Sequence, residues 1–285
     1  MRNFFALVIY TLILLMVGRN ISFLPQFTLF SPPKAKADVL TSEIAALLKG
    51  KAGNYAVYFV DLKTGQSVAI NNHEIFTAAS VNKLPIVATL YHLAGEQKIN
   101  LAEQVTVQAD DIQDYGTGII RYEQPGAAYS LRTLSKLTLQ DSDNTGAHIL
   151  ANRIGMAEVQ SYMETLGLRQ TDMAHNETSL ADIYLLLSKL YNRKITSDAL
   201  TMELLGFMTH TDSEDRLPAG LAKSVVVYHK SGDGIGSVHD VGIIKDGSHI
   251  YFLGVMTSDI GSHASEAKAT IAKIARTVVG WNHSE

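Results

Sequence analysis

The sequence predicts an α+β fold, an α/β sandwich in which one antiparallel sheet carries an inserted helical block. Strand-like segments lie in two groups, before residue 80 and after residue 210, and helical patterns fill the residues between them. Helical patterns also occupy both ends, so a sheet flanked by the first and last helices satisfies this order. We therefore expect a sheet part at 38–79 and 210–285 and a helical part at 80–209. A cleft should form where the parts meet, and such junctions commonly bind ligands.

Five segments account for the predicted sheet. The first two are YAVYFVDL and QSVAI, which flank a K-T-G turn and are typical of a hairpin; the turns GDGIG and DGS separate the three later segments. In chain order the strands are predicted at 55–62, 66–70, 224–230, 238–245 and 249–257.

Capping residues mark several predicted helices. Ser130 precedes one helical pattern, Gly155 ends another, and Ser179 has an acidic residue three positions later, the spacing of an N-cap and its partner. The terminal helices are predicted at 38–51 and 265–279.

The composition excludes several classes of function. The 285 residues are 46% hydrophobic and 18% charged, with a formal net charge of −4, which is ordinary for a folded globular protein. No dense Lys/Arg run indicates a nucleic-acid surface. Because the chain has no cysteine, disulfides, cysteine-ligated zinc and a cysteine nucleophile are excluded.

The N-terminus predicts a location outside the cytoplasm. A basic start is followed by an apolar run at 4–18, which is short for a membrane span but long enough for a signal sequence. A small-x-small cleavage pattern lies at 35–37, farther from the run than a signal peptide would place it. We therefore weigh an uncleaved anchor and a cleaved signal equally for residues 1–37, with the functional domain at 38–285. The first option predicts a membrane attachment through this segment.

The stretch TAASVNKLPI places Ser80 three residues before Lys83. Residues three apart on a helix share a face, so the serine hydroxyl is within reach of the lysine amine if this turn is helical. Pro85 is tolerated in the first turn of a helix, which puts Ser80 near the helix start. An amine can activate a serine when burial or a neighbouring cation lowers its pKa. The alternative to this catalytic role is that Ser80 caps the helix and Lys83 is a surface charge.

Two further motifs follow in order. They are Ser142-Asp143-Asn144, between two helical patterns, and Lys230-Ser231-Gly232, at the end of a strand pattern. The set S-x-x-K, S-D-N and K-[TS]-G resembles the penicillin-recognising serine acyl-enzymes, and its spacing is similar to that of class A β-lactamases. The predicted order of strands and helices is also similar to that fold. The resemblance covers about residues 38–283.

The resemblance implies a role for each motif residue on the nucleophile side. Ser80 would attack a β-lactam or D-Ala-D-Ala carbonyl, and Lys83 would be its base or hold the network that deprotonates it. Ser142 would carry a proton to the leaving nitrogen, and Asn144 would bind the substrate side-chain amide. Asp143 is expected to fix the loop by accepting backbone N–H bonds.

The resemblance also assigns the substrate-binding strand. Lys230 would lower the pKa of the first lysine and, with Ser231, bind the substrate carboxylate, while Gly232 would let the substrate approach the strand edge. The backbone N–H of Asp233 would form an oxyanion hole with that of Ser80, although smaller residues are commoner at that position. Tyr115 lies where an aromatic residue often lines the class A entrance; a tyrosine packed on the surface explains it equally well.

The pattern departs from class A enzymes at the deacylation base. That family needs a glutamate in E-x-x-L-N, whereas Glu177 stands in E-x-x-L-A because Ala181 replaces the asparagine. Helical periodicity resumes at Ser179, so about ten residues of the usual omega loop are missing. Glu177 is therefore a candidate base, but we favour its interpretation as an ordinary acidic residue before a helix, where its charge is favourable to the helix dipole.

The sequence leaves three functions open. The first is β-lactam hydrolysis, the second a D,D-carboxypeptidase or transpeptidase that acts on peptidoglycan stem peptides and deacylates slowly, and the third a non-catalytic wall-binding or sensor module. Because Ser80, Lys83, Ser142 and Lys230 are all present, we favour an enzyme. We expect a monomer that needs neither a cofactor nor a metal and binds no nucleic acid.

Other catalytic classes lack their required context. The stretch GDGIG at 232–236 is followed by a strand pattern, whereas a phosphate-binding loop would be followed by a helix. There is no G-x-S-x-G elbow and no H-E-x-x-H metal pattern. We interpret His239 and Asp240 as a cross-strand polar pair near the cleft.

Overall fold

The computed structural model describes residues 36–282. Residues 1–35 of the signal or anchor predicted at 1–37 lie outside these residues, as do 283–285. Within the described part of the chain, no helix combines the length and apolar character needed to cross a bilayer.

The strands form one large sheet and two small pairings. In chain order they are β1 (Asn54–Asp61), β2 (Ser67–Ile70), β3 (Phe76–Thr77), β4 (Gln104–Thr106), β5 (Ala128–Ser130), β6 (Glu177–Thr178), β7 (Val226–Gly234), β8 (Ser237–Asp246) and β9 (His249–Ser258). The large sheet has the order β2-β1-β9-β8-β7 and is antiparallel throughout, which confirms the predicted five-stranded sheet. The short strands β3 and β6 pair with each other, as do β4 and β5.

The two terminal helices begin and end close to the predicted positions. They are α1 (Lys36–Leu48), α2 (Lys83–Gly95), α3 (Leu131–Gln140), α4 (Asn144–Ile154), α5 (Met156–Thr165), α6 (Leu180–Tyr191), α7 (Asp198–Gly206) and α8 (Ala264–Asn282). The hydroxyls of Ser130 and Ser179 accept backbone N–H bonds at the starts of α3 and α6, as the capping patterns predict. Gly155, with a positive φ of 91°, ends α4.

The large sheet is covered on both faces by apolar side chains. On β1, Ala56 and Val60 pack in the core shared with the helical block, and Val57 and Phe59 pack in the core beneath α1 and α8. This alternation is the two-residue period of a strand. Because both faces are buried, the strands are almost continuously apolar. The edge strand β7 is where polar motif residues interrupt this pattern.

Candidate active site

Ser80 lies in a tight turn directly before a helix. The 3₁₀ turn Ala79–Asn82 leads into α2, and Lys83 is the first residue of that helix. Ala79 has a positive φ of 48°, a conformation that is rare for a residue with a side chain and frequent at functional sites. Within residues 36–282, no hydrogen bond engages the Ser80 hydroxyl, which lines the cleft. The nucleophile predicted from sequence is thus accessible and uncommitted.

The Lys83 amine is buried among oxygen atoms. Its side chain is 4% exposed, and Nζ donates to Asn144 Oδ1 at 2.6 Å and to the Ser142 carbonyl oxygen. A third contact, at 3.2 Å, joins Nζ to the Ser142 hydroxyl. Burial, followed by the positive charge of Lys230, lowers the pKa of Lys83 to about 6, while Asp143 acts in the opposite direction. A neutral amine can supply the two N–H bonds and still keep a lone pair for a proton.

Lys230 reaches the same hydroxyl from the sheet. Its Nζ donates to Ser142 Oγ at 3.0 Å and to the Ser231 carbonyl at 2.9 Å, and the residue is 2% exposed. Burial lowers the pKa of Lys230 to about 8, with Asp240 opposing the shift and Arg216 adding to it. One serine hydroxyl therefore lies between two buried amines of different basicity.

Asp143 holds the loop that presents Ser142. It is fully buried, and its carboxylate accepts the N–H groups of Gly146 at 2.8 Å, Ile119 at 2.7 Å and Ile120 at 2.9 Å. Ser142 itself has a positive φ of 53°, which this anchored loop maintains. The structure thus agrees with the role that the sequence predicts for Asp143.

The edge of β7 lies against the turn that carries Ser80. A side-chain carbon at Gly232 would come within 3.1 Å of the Ala78 carbonyl oxygen and 3.2 Å of a Val81 methyl group. Glycine therefore allows the strand to approach this turn closely. The backbone of Asp233 follows directly, beside the nucleophile turn, which is where a second oxyanion donor is expected.

The cleft has a volume of about 710 Å³ and is lined by most of the predicted site residues. The lining includes Ser80, Lys83, Tyr115, Ser142, Asn144, Ser231 and Asp233. Tyr115 is 64% exposed at the rim, and its carbonyl accepts a 3.0 Å bond from the Asn144 amide. Lys230 and Gly232 do not line the cleft themselves; Lys230 contacts the Ser142 hydroxyl, and Gly232 lies against the turn that carries Ser80.

Glu177 stays apart from this constellation. It lies in β6, where its backbone pairs with Thr77 and Asp172, and its side chain is exposed and absent from the cleft lining. The residue of this segment that lines the cleft is Asn176, which has a positive φ of 55° and whose carbonyl accepts the Ala78 N–H. Helix α6 begins only three residues after Glu177, as expected for a missing omega loop.

The interpretation of His239 and Asp240 as one polar pair is wrong. His239 bonds the Thr77 carbonyl and the Thr257 N–H, whereas Asp240 bonds His229 Nδ1 at 2.8 Å. Neighbouring residues of a strand point to opposite faces, which separates their partners. Burial lowers the pKa of His239 to about 4, so it is neutral at physiological pH.

Sequence reasoning missed a buried arginine behind the cleft. Arg216 is 1% exposed; its Nη2 donates to Asp233 Oδ2 at 2.6 Å and its Nη1 to the His239 carbonyl at 2.9 Å. Arg216 lies in an irregular segment before β7, so no helix or strand pattern marked it. Asn176 escaped notice for the same reason. Within residues 36–282, no group of three or more His, Asp or Glu side chains is arranged to hold a metal ion.

Comparisons with known proteins agree with this geometry. A family model described as beta-lactamase enzyme family matches residues 39–281. Beta-lactamase VEB-1 of Pseudomonas aeruginosa is 24% identical over 277 residues, covering 87% of this chain and 91% of the relative. The structure of PBP-A has a TM-score of 0.82 at 26% identity and covers 90% of this chain and 100% of its own. TLA-1 extended-spectrum beta-lactamase, at 22% identity, has a TM-score of 0.81 over 87% of this chain and 99% of its own, which shows the shared fold.

Replacing Asp143 tests the loop anchor. We expect Asp143→Ala to lower the free energy of unfolding by about 3 kcal/mol, because three backbone N–H groups, two of them buried, lose their acceptor. Chemical denaturation measures this loss. Asp114→Ala, which removes an exposed carboxylate from the same region, is the control and should change stability by less than about 0.5 kcal/mol. Equal stability of the two variants would contradict the anchoring role.

Proposed function

Because the chain belongs to the beta-lactamase enzyme family, we propose that it is a serine hydrolase that opens β-lactam amides through Ser80. The observation that carries this proposal is the convergence of Lys83 and Lys230 on the Ser142 hydroxyl, beside Ser80 in one cleft. A buried amine with a pKa of about 6 can take a proton from the serine at neutral pH.

In the proposed acylation, these groups account for every proton that is transferred. Ser80 Oγ forms a bond to the lactam carbonyl carbon while its proton passes to the lone pair of Lys83 Nζ. The backbone N–H groups of Ser80 and Asp233 receive the developing oxyanion, each such donor contributing about 3 kcal/mol. The C–N bond then breaks as Ser142 gives its proton to the lactam nitrogen and recovers one from Lys83. The product is an ester on Ser80.

A second candidate, a D,D-peptidase with slow deacylation, is supported by the position of Glu177. Release of the ester needs an activated water, and the Glu177 side chain is exposed outside the cleft. A variant of PBP-A, whose structure has a TM-score of 0.80 and 26% identity, is an acyl-enzyme complex with penicillin G. This relative supports the covalent step, which both candidates share. The peptidase would apply it to the D-Ala-D-Ala end of peptidoglycan stem peptides.

We further propose that residues 38–285 act as a monomeric domain outside the cytoplasm. The basic start and the apolar run at 4–18 support this location, with either membrane attachment or signal cleavage.

Intact-mass spectrometry tests the covalent step. Incubation of the full chain with benzylpenicillin should add the mass of one penicillin, and peptide mapping should place it on Ser80. Ser80→Ala should show no addition, because the attacking hydroxyl is gone. Ser213→Ala removes another cleft serine and serves as the control that retains the adduct. Neither adduct nor turnover in the wild type would remove the enzymatic proposal.

The pH dependence of acylation tests the two amines. The second-order rate should rise through about pH 6, as Lys83 loses its proton, and fall through about pH 8, as Lys230 does. Because the amines are coupled, the two limbs belong to the pair. Lys230→Arg should remove the upper limb, since a guanidinium stays charged. A flat profile for the wild type between pH 5 and pH 9 would contradict this assignment.

The decay of the adduct separates the two candidates. We expect slow release, and we expect Glu177→Gln to change the release rate by less than about twofold, because its side chain lies outside the cleft. Samples quenched at successive times and measured by mass spectrometry give the release rate. Hydroxylamine, which cleaves the ester directly, is the control for adduct chemistry. Fast release that Glu177→Gln abolishes would assign this glutamate as the base and favour the lactamase.

A further inference from the structure

An ion pair joins a cleft-lining aspartate to the buried arginine behind the cleft. Asp233 lines the cleft with 54% of its side chain exposed, and its carboxylate accepts a 2.6 Å bond from the buried Arg216 guanidinium. The other bonds of Arg216 go to the His239 carbonyl at 2.9 Å, to the Gly232 carbonyl at 3.5 Å and to Asp215 at 3.1 Å. Of the two aspartates bonded to Arg216, Asp233 is thus the one that lines the cleft.

Asp233 lies on the same face of β7 as Ser231. The two residues are two positions apart on one strand, so their side chains point in the same direction, and both line the cleft. Under the proposed function, on which this inference rests, Ser231 and Lys230 receive the carboxylate of a β-lactam. A second negative charge is therefore fixed beside the place where the ligand carboxylate binds.

The buried Arg216 is already occupied before any ligand arrives. Its guanidinium faces Asp233 and Asp215, and Asp240 adds a further negative charge nearby. A ligand carboxylate entering this end of the cleft meets the repulsion of Asp233, whereas Arg216 is 1% exposed, lies outside the cleft lining and has its N–H groups bound within the protein.

We propose that Asp233 determines specificity by holding a negative charge, fixed by Arg216, beside the place where the ligand carboxylate binds. It reduces the preference of the site for acyl donors with a free carboxylate beside the scissile amide. Acyl donors whose leaving group is neutral there, such as esters or amides of that carboxylate, are not repelled by Asp233. The substrate class favoured by this pair is therefore acyl donors with a blocked or extended leaving group.

A ratio of two acylation rates tests this proposal. The probes are benzylpenicillin and its methyl ester, which differ in one charge, and the readout is the rate of adduct formation on Ser80. We expect the acid-to-ester ratio to rise about tenfold in Asp233→Asn, which removes the charge alone, and at least as far in Asp233→Ser, which also frees Arg216. Because both rates come from one protein sample, partly unfolded protein cancels in the ratio.

Asp215→Asn is the matched control. Like Asp233, Asp215 pairs with Arg216 and has about half of its side chain exposed (52%), but it does not line the cleft. Its ratio should equal that of the wild type. An unchanged or lower ratio in both Asp233 variants, with adducts still forming, would overturn the specificity role and leave the acyl-enzyme intact. Absence of any adduct in the wild type would instead overturn the proposed function, and this inference with it.

Discussion

Two buried amines that share one hydroxyl are the constraint on which the site depends. Lys83 and Lys230 lie 3.2 and 3.0 Å from the oxygen of Ser142, and neither is among the ion pairs formed within residues 36–282. Desolvation and mutual repulsion make two full positive charges here costly. The lower pKa of Lys83 means that this amine is the one that stays neutral. The repulsion that destabilises the pair thereby creates a base beside a cation, which is the division of roles that acylation of a serine requires.

The fold sustains this unfavourable arrangement by fixing each amine from a different element. Lys83 begins a helix, Lys230 lies on a buried edge strand, and Ser142 lies on a loop that Asp143 holds through three backbone N–H groups. Helix, strand and loop are distant in sequence, so no local rearrangement separates the amines without disturbing the core. Glycine at 232 completes the site by letting the strand approach the nucleophile turn. The stability of the sheet and the loop thus keeps the two amines close together despite their mutual repulsion.

Much of this could be predicted from sequence because the signals were local. Apolar segments bounded by turn residues predicted the strands, capping residues predicted helix ends, and three ordered motifs predicted Ser80 and its partners. Arg216 could not be predicted, because a single arginine in an irregular segment has no periodicity, and its burial depends on contacts with β7 and β8. The pairings of β3 with β6 and of β4 with β5 involve only two or three residues each, too few to leave a pattern. The pairing predicted for His239 and Asp240 is wrong because neighbouring residues of a strand point to opposite faces of the sheet.

The two halves of an acyl-enzyme cycle make unequal demands on this cleft. Acylation needs a base, a proton donor and an oxyanion site, and the geometry around Ser80 offers candidates for all three. Release needs a group that accepts a proton from water, and the residue of the segment before α6 that lines the cleft is Asn176, whose side chain is an amide, whereas Glu177 lies outside the lining. An amide orients water but does not accept its proton. Water activation would then fall to Lys83, which is neutral again after it passes its proton to Ser142, but whose Nζ is held by Ser142 and Asn144. A site built this way favours formation of the ester over its hydrolysis, unless the substrate itself positions the second nucleophile.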